Sequence, residues 1–247
     1  MENSRKDWLT RIRKAHNAFS EISFATYHKT KLSPLLDDPK TTPKRKDVFK
    51  AFELSPFKKV KVVILGQDPY YQISGKIPYA TGLAFALNPK AIKNTKLRTL
   101  KGGKSLRTIL KAISIELGHP IPDSPTTDLE ALAKEGVLLL NTALTTKHNL
   151  PKAHLKAWKR FTAATLLALN SRTEPVYFVL TCESAKAFAP LIQAPHKIFY
   201  NYKHPSRCWR ISLSPKQREA EVHFFKDTKN RLRINWAIAL SASTPAS

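Results

Sequence analysis

Val62-Val63-Ile64-Leu65-Gly66-Gln67-Asp68-Pro69-Tyr70 is the stretch that decides the fold of this chain. An unbroken apolar run ends in a glycine and then in a dense polar cluster. A buried parallel strand has this pattern when it delivers side chains to the rim of a sheet. In open α/β sheets, ligands bind outside the carboxyl ends of the strands, which places Gln67, Asp68 and Tyr70 where chemistry is expected. Taken alone, the segment favours a plain strand followed by a proline turn, with Asp68 serving local backbone donors.

Three further apolar runs end in the same manner. Val137-Leu138-Leu139-Leu140 leads into Asn141-Thr142, and Val176-Tyr177-Phe178-Val179-Leu180 into Thr181-Cys182-Glu183-Ser184. Lys197-Ile198-Phe199-Tyr200 leads through Asn201-Tyr202-Lys203 to His204-Pro205-Ser206. Helical spacing separates them: Leu106, Ile109, Leu110, Ile113 and Leu117 form one stripe, with Ser105 as candidate N-cap. Trp158, Phe161, Thr165 and Leu169 form another; further helices are expected from about Glu183 to Ile192 and Gln217 to Leu232. Strands alternating with helices imply right-handed crossovers. The expected fold is α/β: a single domain over residues 1–247, with a central four-stranded, mainly parallel sheet flanked by helices on both faces. An N-terminal helix and a basic, exposed Pro/Lys connection (Ser33 to Lys50) fill about 1–50, and the core runs from about 51 to 236. The tail from about 240 to 247, small and polar from Ser241 onward, is expected to be flexible.

The formal charge is +24 on 247 residues. A balance that basic steers a protein toward polyanions, and nucleic acid is the partner class it favours. A ribosomal, membrane-surface or merely solubilising role would also account for charge alone. The distribution narrows this. Lys90, Lys93, Lys96, Arg98, Lys101, Lys104, Arg107 and Lys111 follow one another without an acidic residue, and Lys203 to Arg218 is a second acid-free stretch. Phosphate contacts of this kind weaken steeply with salt. No apolar run approaches the ~20 residues that cross a bilayer, and the charged opening lacks the apolar core of a secretory signal. Cys182 and Cys208 are the only cysteines and form no pairing motif, which suits a reducing, cytoplasmic setting. His148 and His154 do not reach zinc spacing with either cysteine. Neither a nucleophile elbow nor a glycine-rich phosphate loop is present. No metal and no cofactor is expected.

The chain closely resembles the family 1 uracil-DNA glycosylases. The resemblance rests on Phe52-Glu53-Leu54-Ser55-Pro56-Phe57 leading into Val60–Tyr70, on Gly82-Leu83-Ala84-Phe85, on Gly136-Val137-Leu138-Leu139-Leu140-Asn141-Thr142-Ala143-Leu144-Thr145, and on His204-Pro205-Ser206. It covers roughly Ala51 to Trp236 in the family's order. It implies hydrolysis of the N-glycosidic bond of deoxyuridine in DNA by base flipping, without metal or covalent nucleophile, within base-excision repair. Asp68 then stabilises the sugar cation and orients a water, and His204 donates to the oxygen of the departing uracil anion. Asn141 reads the Watson–Crick edge of uracil, Phe85 stacks on the ring, Tyr70 excludes the thymine methyl, and Gln67 contacts the base through its backbone. Ser206 and Ser105 match serines that grip phosphates. DNA, single- or double-stranded, is the implied partner of a monomer, with a proteinaceous inhibitor or replication partner as further partners.

The chain also departs from the family. Tyr71 replaces the histidine that usually follows Pro-Tyr. Lys101-Gly102-Gly103-Lys104-Ser105 replaces a proline-rich loop, and Lys101 and Lys104 are expected to attract DNA electrostatically. Arg207-Cys208-Trp209-Arg210 stands where the family's wedging leucine lies. Cys208 is too small to fill the space left by a flipped base, whereas Trp209 can stack and either arginine can insert from the minor groove. Two functions compete: an active glycosylase, or a catalytically weak glycosylase fold kept as a DNA-binding or polymerase-associated module. Asp68, Asn141, Phe85 and His204 together favour the first, because a pure binder has no chemical need for all four. A glycosylase for mismatched bases is disfavoured by Tyr70 and Asn141, which suit a narrow uracil pocket.

Overall fold

In the computed structural model, described for residues 2–92, 103–201, 211–212 and 223–242, the four apolar runs form the parallel part of one sheet. Its strands are β1 (Val62–Gly66), β2 (Val137–Asn141), β3 (Tyr177–Leu180) and β4 (Lys197–Asn201). A fifth strand, β5 (Ile211–Ser212), pairs antiparallel with β4 at the edge, giving the order β2-β1-β3-β4-β5. Two residues carry no periodic signal, so the sequence pattern missed β5. All residues of β1, β2 and β3 are buried, which explains why these strands read as continuous apolar runs rather than alternating ones.

The main helices are α1 (Glu2–Phe19), α2 (Lys104–Leu117), α3 (Leu155–Leu169) and α4 (Phe224–Leu232). The path from β1 through α2 to β2 moves one way along the sheet, and that from β2 through α3 to β3 returns past β1. Right-handed crossovers in opposite directions put α2 and α3 on opposite faces. Helix α1 covers α3, and α4 packs on α2. The topological switch point of this order lies between β1 and β3, so the carboxyl end of β1 borders the crevice that α/β sheets open there.

Helix α1 docks through Trp8, Ile12 and His16, spaced four apart and fully buried. The Trp8 indole meets Phe52 and Phe57 edge-on at 5.1 and 4.9 Å and donates to the Ser55 carbonyl at 2.8 Å. In α2, Leu106, Ile109, Leu110 and Ile113 are buried as the spacing requires, and in α3 so are Trp158, Phe161, Thr165 and Leu169. Glu116 of α2 caps α4 from outside, accepting from the Phe225 and Lys226 amides at 2.6 and 3.2 Å. Its burial holds the carboxyl above the ordinary glutamate range despite those two bonds.

Several expectations need correction. The N-cap of α2 is Gly103, and Ser105 is the second helical residue, so its hydroxyl lies inside the first turn. The helix expected from Glu183 to Ile192 splits into Glu183–Lys186 and a 3-10 turn, Ala189–Leu191. Pro190 is the cause: its ring would collide with the carbonyl four residues back, at Lys186. Of the helix expected from Gln217, only Phe224–Leu232 lies among the described residues. The Ser33–Lys50 connection is not simply exposed. Leu36, Thr42 and Val48 are buried, and Thr41–Thr42 pairs antiparallel with Thr146–Lys147. Nor is the tail wholly free, because the Ser241 carbonyl accepts from Thr126 at 2.8 Å and Ala242 bridges to Pro125. Among the described residues, no helix is long and apolar enough to cross a membrane.

Candidate active site

The site is built where β1 and β2 end side by side, with Gly66 opposite Asn141. Beyond the sheet the two chains stay locked: Thr142 and Ala143 amides donate to the Gly66 and Gln67 carbonyls at 2.9 and 3.0 Å. The Thr142 hydroxyl adds a 2.6 Å bond to the Gln67 carbonyl. This lock places the Asn141 side chain and the Phe85 ring on Gly66. A methyl at position 66 would sit 2.5 Å from Asn141 Oδ1 and 3.1 Å from Phe85 Cζ. Only a hydrogen fits there, so the glycine lets an amide and an aromatic ring pack together against the end of β1. Asn141 is 8% exposed, and among the described residues its side-chain amide has no protein hydrogen-bond partner.

Phe85 sits at φ 66°, a left-handed backbone rare for a bulky residue and found mostly where function demands it. Its loop is held from both sides. Ala84 donates to the Leu139 carbonyl at 3.0 Å and Leu87 to that of Thr127 at 2.7 Å. At its start Gly82 has φ +90°, and a Cβ there would lie 1.9 Å from the Asp47 carbonyl oxygen. The Tyr70 hydroxyl donates to the Phe85 carbonyl at 3.4 Å. Burial pushes the Tyr70 phenol well above its ordinary range, opposed by the nearby Leu106 amide and the Arg107 charge. The unfilled N-terminal turn of α2 thus faces Tyr70, which ties the start of that helix to the Phe85 loop.

Asp68 is half-buried, with both carboxylate oxygens held. Gln67 Nε2 donates to Oδ1 at 3.1 Å, and the backbone N–H of Lys152 makes a short bond to Oδ2. Lys152 is itself left-handed, φ 66°, so the loop is bent specifically to present that amide. The bend is braced: Asn149 donates to the Tyr71 carbonyl at 3.0 Å and His148 to the Lys40 carbonyl at 2.8 Å. Lys147 pairs with Asp38 at 3.1 Å. Behind the loop, Trp158 Nε1 donates to Thr145 Oγ1 at 2.7 Å, and that hydroxyl lies 2.9 Å from His154 Nδ1. Burial and then the Lys147 charge hold the His154 imidazolium pKa below the usual histidine value.

The structure therefore brings together Gln67, Asp68, Tyr70, Phe85 and Asn141, five of the residues singled out from the sequence. Lys104 is exposed and Ser105 half-buried at the start of α2. His204, Ser206, Arg207, Cys208, Trp209, Arg210 and Lys101 lie outside the described residues; β4, which leads toward His204, ends at Asn201 on the site's edge of the sheet. Sequence reasoning missed the Lys152 amide, the Thr142 hydroxyl and the close approach at Gly66. The glycine was visible in the motif, but no local signal marks a backbone donor 84 residues from its acceptor.

The family model described as the uracil DNA glycosylase superfamily matches residues 52–229. A uracil-DNA glycosylase of Alkaliphilus metalliredigens is 34% identical over 241 residues, covering 92% of this chain and 97% of the relative. Another, from Campylobacter hominis, is 39% identical over 199 residues, covering 80% and 78%. A variant of mimivirus UNG, crystallised in complex with UGI, superposes with a TM-score of 0.64 at 26% identity, covering 78% of this chain and 68% of that one. The matched residues span all five strands and the loops that meet at Gly66: the chain belongs to the uracil-DNA glycosylase superfamily.

Proposed function

We propose that the protein excises uracil from DNA, hydrolysing the N-glycosidic bond of a flipped deoxyuridine and leaving an abasic site. The observation that carries this is the convergence of the Asn141 amide, the Phe85 ring and an oriented carboxylate (Asp68) around the end of β1 at Gly66. Flipping is required because the reacting bond is out of reach within a stacked duplex. As the C1′–N1 bond breaks, its electron pair leaves on uracil and positive charge develops on the sugar. Asp68, fixed by two donors, faces that charge and orients the water whose oxygen bonds to C1′. The water's proton ends on the solvent or on the departing base. His204 is assigned the donor to the uracil oxygen from its sequence context. The Asn141 amide offers a donor and an acceptor to uracil, a pattern that cytosine inverts. Tyr70, held against the Phe85 carbonyl, limits space at C5 and so rejects thymine.

The basic loops suit a phosphate backbone, and Lys101, Lys104, Ser105, Ser206 and Arg207 to Arg210 are assigned to DNA. The mimivirus relative's complex with UGI supports a protein inhibitor among the partners. The test is an end-labelled single-stranded oligonucleotide with one deoxyuridine, incubated in EDTA and then treated with alkali. Cleavage at uracil only, absent with thymine or cytosine and lost in Asp68→Asn/His204→Asn, is the expected result. Folded protein that binds the oligonucleotide without any cleavage would overturn the assignment.

A further inference from the structure

A second basic site lies at the other end of the sheet. Where β1, β2 and β3 begin, an open cleft of about 1180 Å³ is lined by Lys58, Lys59, Lys61, Lys134, Arg172 and Arg231. Lys61 stands at the sheet's edge, its amide donating to the Gly136 carbonyl at 2.9 Å and its carbonyl accepting from Tyr177 at 3.0 Å. The strands between rise about 3.3 Å per residue, so the cleft lies roughly 17 Å from the Asp68 rim, on the opposite side of the molecule. A duplex engaged at Asp68 does not fill it.

The cleft is built rather than incidental. Arg172 is anchored with only 12% of its side chain exposed, donating to the Phe57 and Val60 carbonyls at 2.7 and 3.2 Å. Arg11 lies flat over the Phe57 ring, 4.2 Å from its centroid. Two carboxylates share the lining, Glu135 and Glu174, and Glu174 pairs with Arg172 at 3.3 Å. Lys58, Lys59, Lys61, Lys134 and Arg231 make no ion pair among the described residues. Cations at helix C-termini offset the helix dipole, which accounts for Lys134 and Arg231. It accounts only weakly for Lys58 and Lys59, at the end of a single 3-10 turn (Phe57–Lys59), and not for Lys61, which stands just before β1. Unpaired, spaced cations around a groove are the arrangement that tracks a phosphodiester backbone.

We infer that this cleft holds the phosphate backbone of a second DNA segment while the first occupies the Asp68 edge. The protein then bridges two segments, and can pass between them without entering bulk solvent. The proposal stands apart from the excision chemistry, because it concerns binding at the other end of the sheet.

The experiment uses a biotinylated uracil-free duplex on beads, the full chain, and a fluorescent second duplex added afterwards. Wild-type protein is expected to recruit the second duplex while sedimenting as a monomer. Lys58→Gln/Lys59→Gln/Lys61→Gln/Lys134→Gln is expected to bind the first duplex and excise uracil as wild type does, yet lose recruitment. The log–log salt slope of recruitment should fall by about 3 to 4, as for loss of four phosphate contacts. Equal recruitment by the two proteins, or recruitment confined to a dimeric fraction, would overturn the proposal. So would preference for fluorescent polyglutamate over duplex, which would assign the cleft to an acidic protein segment.

Discussion

Gly66→Ala isolates the close approach of Asn141 and Phe85 to the end of β1. The new Cβ would lie 2.5 Å from Asn141 Oδ1, with Phe85 carbons at 3.1 and 3.3 Å closing the other side. Since contacts under 3.0 Å essentially never occur, the amide must move by at least about 0.5 Å, away from the position in which it is proposed to read uracil. A misplacement near 1 Å costs on the order of 10²-fold, so kcat/KM should fall roughly 10- to 100-fold, or about 1.4 to 2.8 kcal/mol of barrier. Stability should change less. Overpacking costs about 1–3 kcal/mol, partly offset by about 0.4–1 kcal/mol from a stiffer unfolded chain. That is a Tm fall of a few degrees at ~2–4 °C per kcal/mol. Single-turnover excision from a single-stranded deoxyuridine oligonucleotide, with thermal melts, measures both. Because the effect runs through Asn141, the Gly66→Ala/Asn141→Ala double variant should be little worse than Asn141→Ala alone. Full additivity of the two losses, or an unchanged kcat/KM in Gly66→Ala, would refute the reasoning.

Other outcomes follow from the same geometry. Lys152→Gly should keep excision within about twofold, because Asp68 is held by the backbone amide; Lys152→Val, β-branched at positive φ, should lower it, by the same single-turnover assay. Trp8→Ala should cost about 3–5 kcal/mol, read as a Tm fall of roughly 10 °C, with excision per folded molecule unchanged. His16, His154 and His196 all have pKa values lowered from 6.5 by burial. The unfolded chain therefore binds more protons below that pH, so stability is full above about pH 6.5 and is lost as pH falls through the folded-state values. Melts should show Tm dropping between pH 7 and 5, and His16→Leu, which removes two unpartnered buried ring nitrogens, should drop less steeply.

The parallel sheet was legible because each central strand is buried on both faces and ends in a polar cluster at the same edge. The same feature places Asp68, Asn141 and Gln67 at one rim. What escaped was fixed by tertiary contact. Ser105 reads as a cap from its type, yet the chain enters α2 at Gly103 and leaves the serine two positions too late. The Thr41–Thr42 pairing that braces the Lys152 loop joins segments about a hundred residues apart, and two-residue strands have no period. Phe85 looks like a core aromatic in sequence; its left-handed backbone comes from loop ends tied to Leu139 and Thr127. Glu116 gave no sign that it would terminate a helix 109 residues away.

The docking of α1 on α3 has a consequence for biosynthesis. Helix α1 ends at Phe19, and its partner begins at Leu155. During translation at about 5–20 residues per second, the stripe of Trp8, Ile12 and His16 lacks its α3 partner for roughly 7–27 s. For that interval Trp8 has only its earlier partners Phe52 and Phe57, and His16 only Phe24 and Tyr27. The helix is therefore half-covered until α3 arrives, and its late capture completes the domain.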